Sequence, residues 1–315
     1  MDIITKFQSL IILLLALLGI FISKIPIIGD LSGYFITPTL MIMLFLIFIQ
    51  IPLRDITNSF KNVKFTFTAL GINFLWTPFI TFILGFIFLR NYPDLRIGFI
   101  MLTVTPCTDW YLIFTEKANG NVALGASLLP LNFILQVLLL PIYILLLSGT
   151  SVNINIYELL KGIIISLVIP LILAILFRQI IIKTKGIEIL ENHIIPKAYD
   201  YQGYFLDIAI IAMFASKGSL ILKNPKVLLI ILIPLLLFFI INFLFGQLIG
   251  RVIKLPFEDN VALNLTTLAR NSPIALTIAV SSFPHKPLIA LALVIGPLIE
   301  LPVLFIISKT LLKLK

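Results

Sequence analysis

What this 315-residue chain has least of is charge. Asp, Glu, Lys and Arg make up 12% of it while 60% is hydrophobic, against roughly 25% charged residues in a typical soluble domain. That excludes a water-soluble globular protein. There is one cysteine, Cys107, so no internal disulfide can form, and the two histidines, His193 and His285, are too few and too far apart for a metal cluster. The chain carries no H-E-x-x-H, no G-x-S-x-G and no paired aspartates suited to magnesium, which argues against an enzyme. A formal charge of +9 would point to nucleic acid in a soluble protein. Here the Lys and Arg lie in short connections between apolar runs, where they set membrane orientation instead. No cofactor, metal or nucleic-acid partner is expected; membrane lipid is.

At about 20 apolar residues per membrane helix and about 10 per connection, the length holds about ten spans and no extramembrane domain. Runs of spanning length cover residues 7–23, 34–52, 65–89, 97–117, 122–147, 159–177, 201–215, 227–249, 260–281 and 288–311. The seventh is short, and the fourth and ninth are interrupted by polar residues. The first follows Lys6 as a signal sequence would, yet Ser23-Lys24-Ile25-Pro26 offers no cleavage site, so it reads as a retained helix. With ten spans both termini share a side, and the larger share of the 23 basic residues falls there, including Arg54, Arg178, Arg251 and the C-terminal lysines. A multi-pass plasma-membrane protein with both termini cytoplasmic is expected. The basic stretch from Lys183 to Lys197 reads as a solvated loop.

The two interruptions occupy matching places. Laying spans four and five over nine and ten sets Thr105-Pro106-Cys107-Thr108-Asp109 against Ala269-Arg270-Asn271-Ser272-Pro273. Further on, Asn132-Phe133-Ile134-Leu135-Gln136 falls opposite Gly296-Pro297-Leu298-Ile299-Glu300. Five spans per half, residues 1–152 and 153–315, force the halves into opposite orientations. The fold class expected is therefore an all-α membrane protein of ten helices in a 5+5 inverted repeat, with broken helices four and nine crossed near the binding site.

Three charges cannot be placed in connections or near span ends: Asp109, Arg270 and Glu300. Charge in the hydrocarbon is costly and needs a partner, so each is a functional candidate. Asp109 follows one break and Arg270 opens the other, and crossing would pair them. Alternatively Asp109 caps the half-helix after Pro106 and Arg270 bonds carbonyls freed by the break. Glu300 lies among apolar residues without a cationic neighbour in sequence, where desolvation favours a neutral carboxyl able to exchange a proton; the bland reading is a backbone-bonded Glu beside Pro297 or Pro302. Cys107, at a helix break, offers a soft sulfur. Asn132, Asn271 and Ser272 offer hydrogen bonds to a polar solute, whereas Gln136 reads as packing. Asn73, Trp76, Thr77, Pro78, Asn242 and Gln247 read as support for the crossed helices.

The run Thr105-Pro106-Cys107-Thr108, the later Gly120-Asn121-Val122-Ala123-Leu124, the break Arg270-Asn271-Ser272 and the ending Gly296-Pro297-Leu298-Ile299-Glu300-Leu301-Pro302-Val303 together resemble the bile acid:sodium symporter superfamily. Within it they look most like the arsenite-efflux branch, the arsenical resistance-3 (Acr3-like) family. The resemblance implies a core unit of spans three to five and eight to ten and a panel unit of spans one, two, six and seven, with rigid-body alternating access. It also implies that Cys107 and Glu300 are needed for transport. Positions that supply sodium ligands in coupled members align here with Tyr111, Leu112, Gly125, Leu129 and Thr266, and the usual glutamine of the ninth-span break is Arg270. Leucine and glycine side chains cannot coordinate sodium, and Arg270 would supply the charge that a bound cation brings elsewhere.

The function expected is thus a secondary transporter: proton-coupled efflux of arsenite or antimonite, with Cys107, Asp109, Asn132, Arg270, Asn271, Ser272 and Glu300 around the substrate and Glu300 carrying the proton. The alternative is a carrier, or symporter, of a small organic anion held by Arg270 and a half-helix N-terminus.

Overall fold

The computed structural model describes residues 3–50, 61–107, 110–148, 156–223 and 226–314. Among them the regular structure is entirely helical. In chain order the helices are α1 (Ile3–Ile22), α2 (Pro26–Gln50), α3 (Val63–Phe88), α4 (Pro93–Thr103), α5 (Trp110–Lys117), α6 (Val122–Leu147), α7 (Leu159–Lys185), α8 (Ile195–Lys223), α9 (Lys226–Val252), α10 (Phe257–Leu268), α11 (Ser272–Ser282) and α12 (Pro287–Lys313). Among the described residues six segments are long and apolar enough to cross a bilayer: Ile27–Gln50 within α2, α3, α6, α7, Leu229–Val252 within α9, and α12. The protein is therefore a multi-pass membrane protein.

The interruptions have a length consequence. α4, α5, α10 and α11 hold 11, 8, 12 and 11 residues. At about 1.5 Å per residue none exceeds ~18 Å, short of the ~30 Å hydrocarbon thickness. Each is a half-helix.

Prolines shape the long helices in a repeated way. π turns at Ile72–Trp76, Ile164–Val168 and Leu190–Ile194 each end two residues before a proline, respectively Pro78, Pro170 and Pro196. Proline has no N–H and its ring crowds the carbonyl four residues back, and a π turn opens the helix at that point. In α3 the carbonyl released in this way, that of Phe74, accepts a hydrogen bond from the Tyr143 hydroxyl at 2.6 Å.

Two expectations change here. The stretch from Lys183 to Lys197 is helical: α7 runs to Lys185, Gly186 turns the chain at φ +88, and Ile187–Ile189 and the third π turn lead straight into α8. Charge there marks helix ends rather than a loop. For the same reason α8 is 29 residues long, not short, and Asp207 sits at its centre, a fourth charge away from any end.

Chain contacts divide the protein into two compact units. The first comprises Met1–Ile51, Ile154–Val227 and Pro273–Val294. Here α8 packs along α2 and α1, and α7 along α2, burying Leu40, Met43, Leu44, Leu167 and Ala209. Gly162 of this unit is pressed against Ser282; a Cβ there would lie 2.0 Å from Ser282 Oγ and 2.8 Å from its Cα. The Gly162→Ala variant is expected to lose about 1–3 kcal/mol of stability through overpacking, read as a lower thermal midpoint in detergent. The second unit comprises Pro52–Asn153, Leu228–Ser272 and Ile295–Lys315. It holds α3 to α6, α9, α10 and the end of α12, and contains both helix breaks.

Candidate functional site: two helix breaks side by side

α4 ends because Pro106 cannot donate a backbone hydrogen bond and disfavours helical geometry at Thr105. Thr103 and Thr105 turn their hydroxyls back onto the Phe99 and Met101 carbonyls, at 2.7 and 2.8 Å, and close the helix end. α10 ends at Ala269, which is extended (φ −70, ψ 140), and Pro273 is placed to begin α11, a position that favours proline. Each break leaves backbone groups that hydrocarbon cannot satisfy. They satisfy each other: the Cys107 N–H donates to Ala269 O at 2.9 Å, the Asn271 N–H donates to Thr105 O at 2.8 Å, and Pro106 and Arg270 form an antiparallel bridge.

Arg270 is 3% exposed. Its guanidinium donates to Leu268 O (3.0 Å), Thr103 O (2.9 Å), Asn73 Oδ1 (3.2 Å) and, closely, Thr267 O. Three of these acceptors are carbonyls at the C-terminal ends of α4 and α10, where the helix dipoles concentrate negative charge. The Phe238 ring covers one side at 5.4 Å from Cζ, a cation–π contact. The cation thus occupies a cage of oxygens with an aromatic wall.

The other groups gather around it. Glu300, carried on α12, is buried and accepts from the Arg270 backbone N–H through Oε1 at 2.8 Å. Glu300 and Cys107 both lie close enough to act electrostatically on the Arg270 side chain. Asn73 ties the cage to α6 by donating to Asn132 Oδ1 and to Thr266 O, each at 3.4 Å, and Asn132 donates to Thr266 Oγ1 at 3.4 Å. Among the described residues, Ser272, 3% exposed, has a hydroxyl without a hydrogen-bond partner, and Gln136, 1% exposed, has an amide in the same state.

The structure brings together Cys107, Asn132, Arg270, Asn271 and Glu300 through these contacts, with Ser272 adjoining. Asp109 lies outside the described residues, and so does the expected Asp109–Arg270 pair. Glu300 has the cationic neighbour that its own sequence surroundings lack. Asn73 is more than remote support, since it touches the guanidinium. Phe238 carried no signal in sequence: it is one of 26 phenylalanines.

A helical membrane protein with paired helix interruptions and buried charge between them has the makings of a transporter. The family comparison agrees: residues 37–224 match the Sodium Bile acid symporter family, and the chain belongs to that family of membrane transporters. Over 247 residues, 75% of its length, it is 26% identical to the arsenical-resistance protein Acr3 of Corynebacterium glutamicum, covering 66% of that protein, just under two thirds. It is 26% identical over 281 residues to the Acr3 of Alkaliphilus metalliredigens, covering 85% of this chain and 78% of the relative. An uncharacterized transporter of Synechocystis is 26% identical over 290 residues, 86% of this chain and 76% of its own.

Proposed function

We propose that the protein exports arsenite or antimonite across the plasma membrane in exchange for protons, by alternating access, with both termini cytoplasmic. In this reading residues 1–152 and 153–315 are inverted five-span repeats whose broken helices carry the site. The observation that supports it most is that Cys107 and Glu300 meet at the paired breaks, Cys107 through its N–H on Ala269 O and Glu300 through the Arg270 N–H that it accepts. The Acr3 relatives add to it.

The chemistry follows from the groups present. Neutral As(OH)₃ is thiophilic, and Cys107 brings the one thiol of the chain to the break. Attack by sulfur forms one S–As bond and releases hydroxide, which leaves as water with the proton the thiol gave up. A single sulfur holds arsenic weakly, as release on the far side requires. Ser272, Asn271 and Asn132 supply hydrogen bonds to the remaining hydroxyls. Glu300 takes up a proton in one orientation and gives it up in the other.

Sodium fits this chain poorly. The oxygens of Thr103, Thr267, Leu268 and Asn73 are engaged by Arg270, and the Tyr111 hydroxyl is turned onto Gly125 O at 2.7 Å. Arg270 is a tethered cation in their midst. The same engagement weakens the organic-anion reading, which needs guanidinium donors free for a carboxylate.

Cys107→Ala is expected to lower pH-driven arsenite uptake into everted vesicles by about tenfold or more, because Cys107 carries the only thiol in the chain. Unchanged arsenite uptake in that variant would remove arsenic from the assignment.

A further inference from the structure

The second unit carries an open apolar groove of about 450 Å³ between α3 and α9. On α3, Phe67, Gly71, Leu75 and Phe79 line it; they recur every fourth residue and share one face. From α9 come Phe245 and Ile249. The Trp76 indole, also in the lining, stacks on the Phe245 ring with centroids 3.8 Å apart and planes 10° from parallel. Both rings pack against the buried cluster that includes Phe65, Ile72 and Leu263, which fixes this wall of the groove. Phe67, Leu75 and Phe79 stay exposed.

Gly71 gives the groove its room. A Cβ there would meet no atom within 4 Å, and its backbone is ordinary helix (φ −60, ψ −42), so neither a close approach nor a turn calls for glycine. Glycine inside a helix is less stable than alanine; what its bare backbone does here is leave space. From Phe67 to Phe79 the groove follows α3 for about 18 Å of helix rise, close to the roughly 15 Å of hydrocarbon in one leaflet. That is the reach of one acyl chain. The stripe is headed by charge: Lys64 lies one turn before Thr68, itself in the lining, and Lys61 precedes it, both exposed. Lys254 ends α9, is exposed, and is followed by Leu255, which packs on the same buried cluster as Phe65 of the first turn of α3. Neither α3 nor α9 contains an acidic residue.

We propose that the α3–α9 groove is a binding site for an anionic phospholipid, with one acyl chain lying over Gly71 against the Trp76–Phe245 stack and the phosphate held by Lys61 and Lys64. An apolar groove alone would take the chain of any lipid. The lysines at its head select the charge, because basic groups at the end of a membrane helix attract anionic headgroups, and Lys254 adds to the same positive field. The site is separate from the helix breaks and holds whatever solute the protein carries.

Fluorescence of Trp76 in the full chain, reconstituted in phosphatidylcholine bilayers, tests this without any transport measurement. Trp110→Phe removes the only other tryptophan, and brominated acyl chains quench an indole that they touch. At about 10 mol%, brominated phosphatidylglycerol is expected to quench Trp76 at least about threefold more than brominated phosphatidylcholine at the same fraction. Lys61→Gln combined with Lys64→Gln should bring the two lipids to equality. Gly71→Leu should also remove the preference by filling the groove, with no fall in thermal midpoint, since the space is open and leucine favours helix. Equal quenching by the two lipids before any lysine is changed would overturn the proposal, and so would a preference that survives either the lysine pair or Gly71→Leu. Protection of Trp76 from both lipids, as a second copy of the chain over the groove would give, would overturn it as well.

Discussion

Glu300→Gln is expected to abolish pH-driven uptake of arsenite into everted vesicles, by on the order of a hundredfold, while the protein stays folded and inserted. Glu300 Oε1 accepts a hydrogen bond from the Arg270 backbone N–H at 2.8 Å, and a glutamine amide oxygen of nearly the same shape accepts it equally. What the variant loses is a proton to exchange and a negative charge beside Arg270. Counterflow of arsenite against arsenite, which moves no net proton, is expected to persist. If pH-driven uptake survived with the variant expressed at wild-type level, Glu300 would be a structural carboxyl only.

The second large effect is on stability. Arg270→Met removes four hydrogen bonds at once and leaves Thr103 O, Thr267 O, Leu268 O and Asn73 Oδ1 facing one another, with Glu300 short of a counter-charge. Removing one member of a buried ionic cluster costs about 3–5 kcal/mol. A large fall in thermal midpoint in detergent should therefore accompany loss of transport. Arg270→Lys is expected to recover only part of it, because an ammonium is a point charge and cannot span the cage as a planar guanidinium does. Arg270→Gln gives a sharper comparison. Its emptied cage is oxygen-rich, so sodium in place of choline should raise the thermal midpoint of that variant and leave wild type unmoved. Equal response of the two would mean that the guanidinium does not stand in for a cation.

Much of the fold was legible because hydrophobic runs and prolines speak directly through the sequence. Every apolar run overlaps a helix, and the two interruptions fall where Pro106 and the Ser272-Pro273 pair break the backbone pattern. Charge was the misleading signal. Lys183 to Lys197 suggested a loop, whereas helices α7 and α8 extend through it, and that shortened reading hid the central position of Asp207. The π turns were illegible as such, since a proline shows where a carbonyl is displaced but not how the helix absorbs it.

The site was legible in part for a related reason. Residue type pointed to Arg270, Glu300 and Cys107 because polar groups are scarce in this chain. Most of what holds Arg270, however, is backbone carbonyl, which no residue type announces. Asn73 and Phe238 became partners only through the packing of α3 and α9 onto the breaks. Asn242 and Gln247 looked like helix support in sequence. Burial without a hydrogen-bond partner among the described residues sets Asn242 apart.

The coupling proposed for this protein is to protons and not to sodium. Flux of arsenite in liposomes holding the purified full chain, at equal sodium on both sides and with an imposed pH gradient, tests it most directly. The account predicts a flux that follows the size and sign of the pH gradient and is unaffected when choline replaces sodium. A flux that needs a sodium gradient and ignores pH would contradict it.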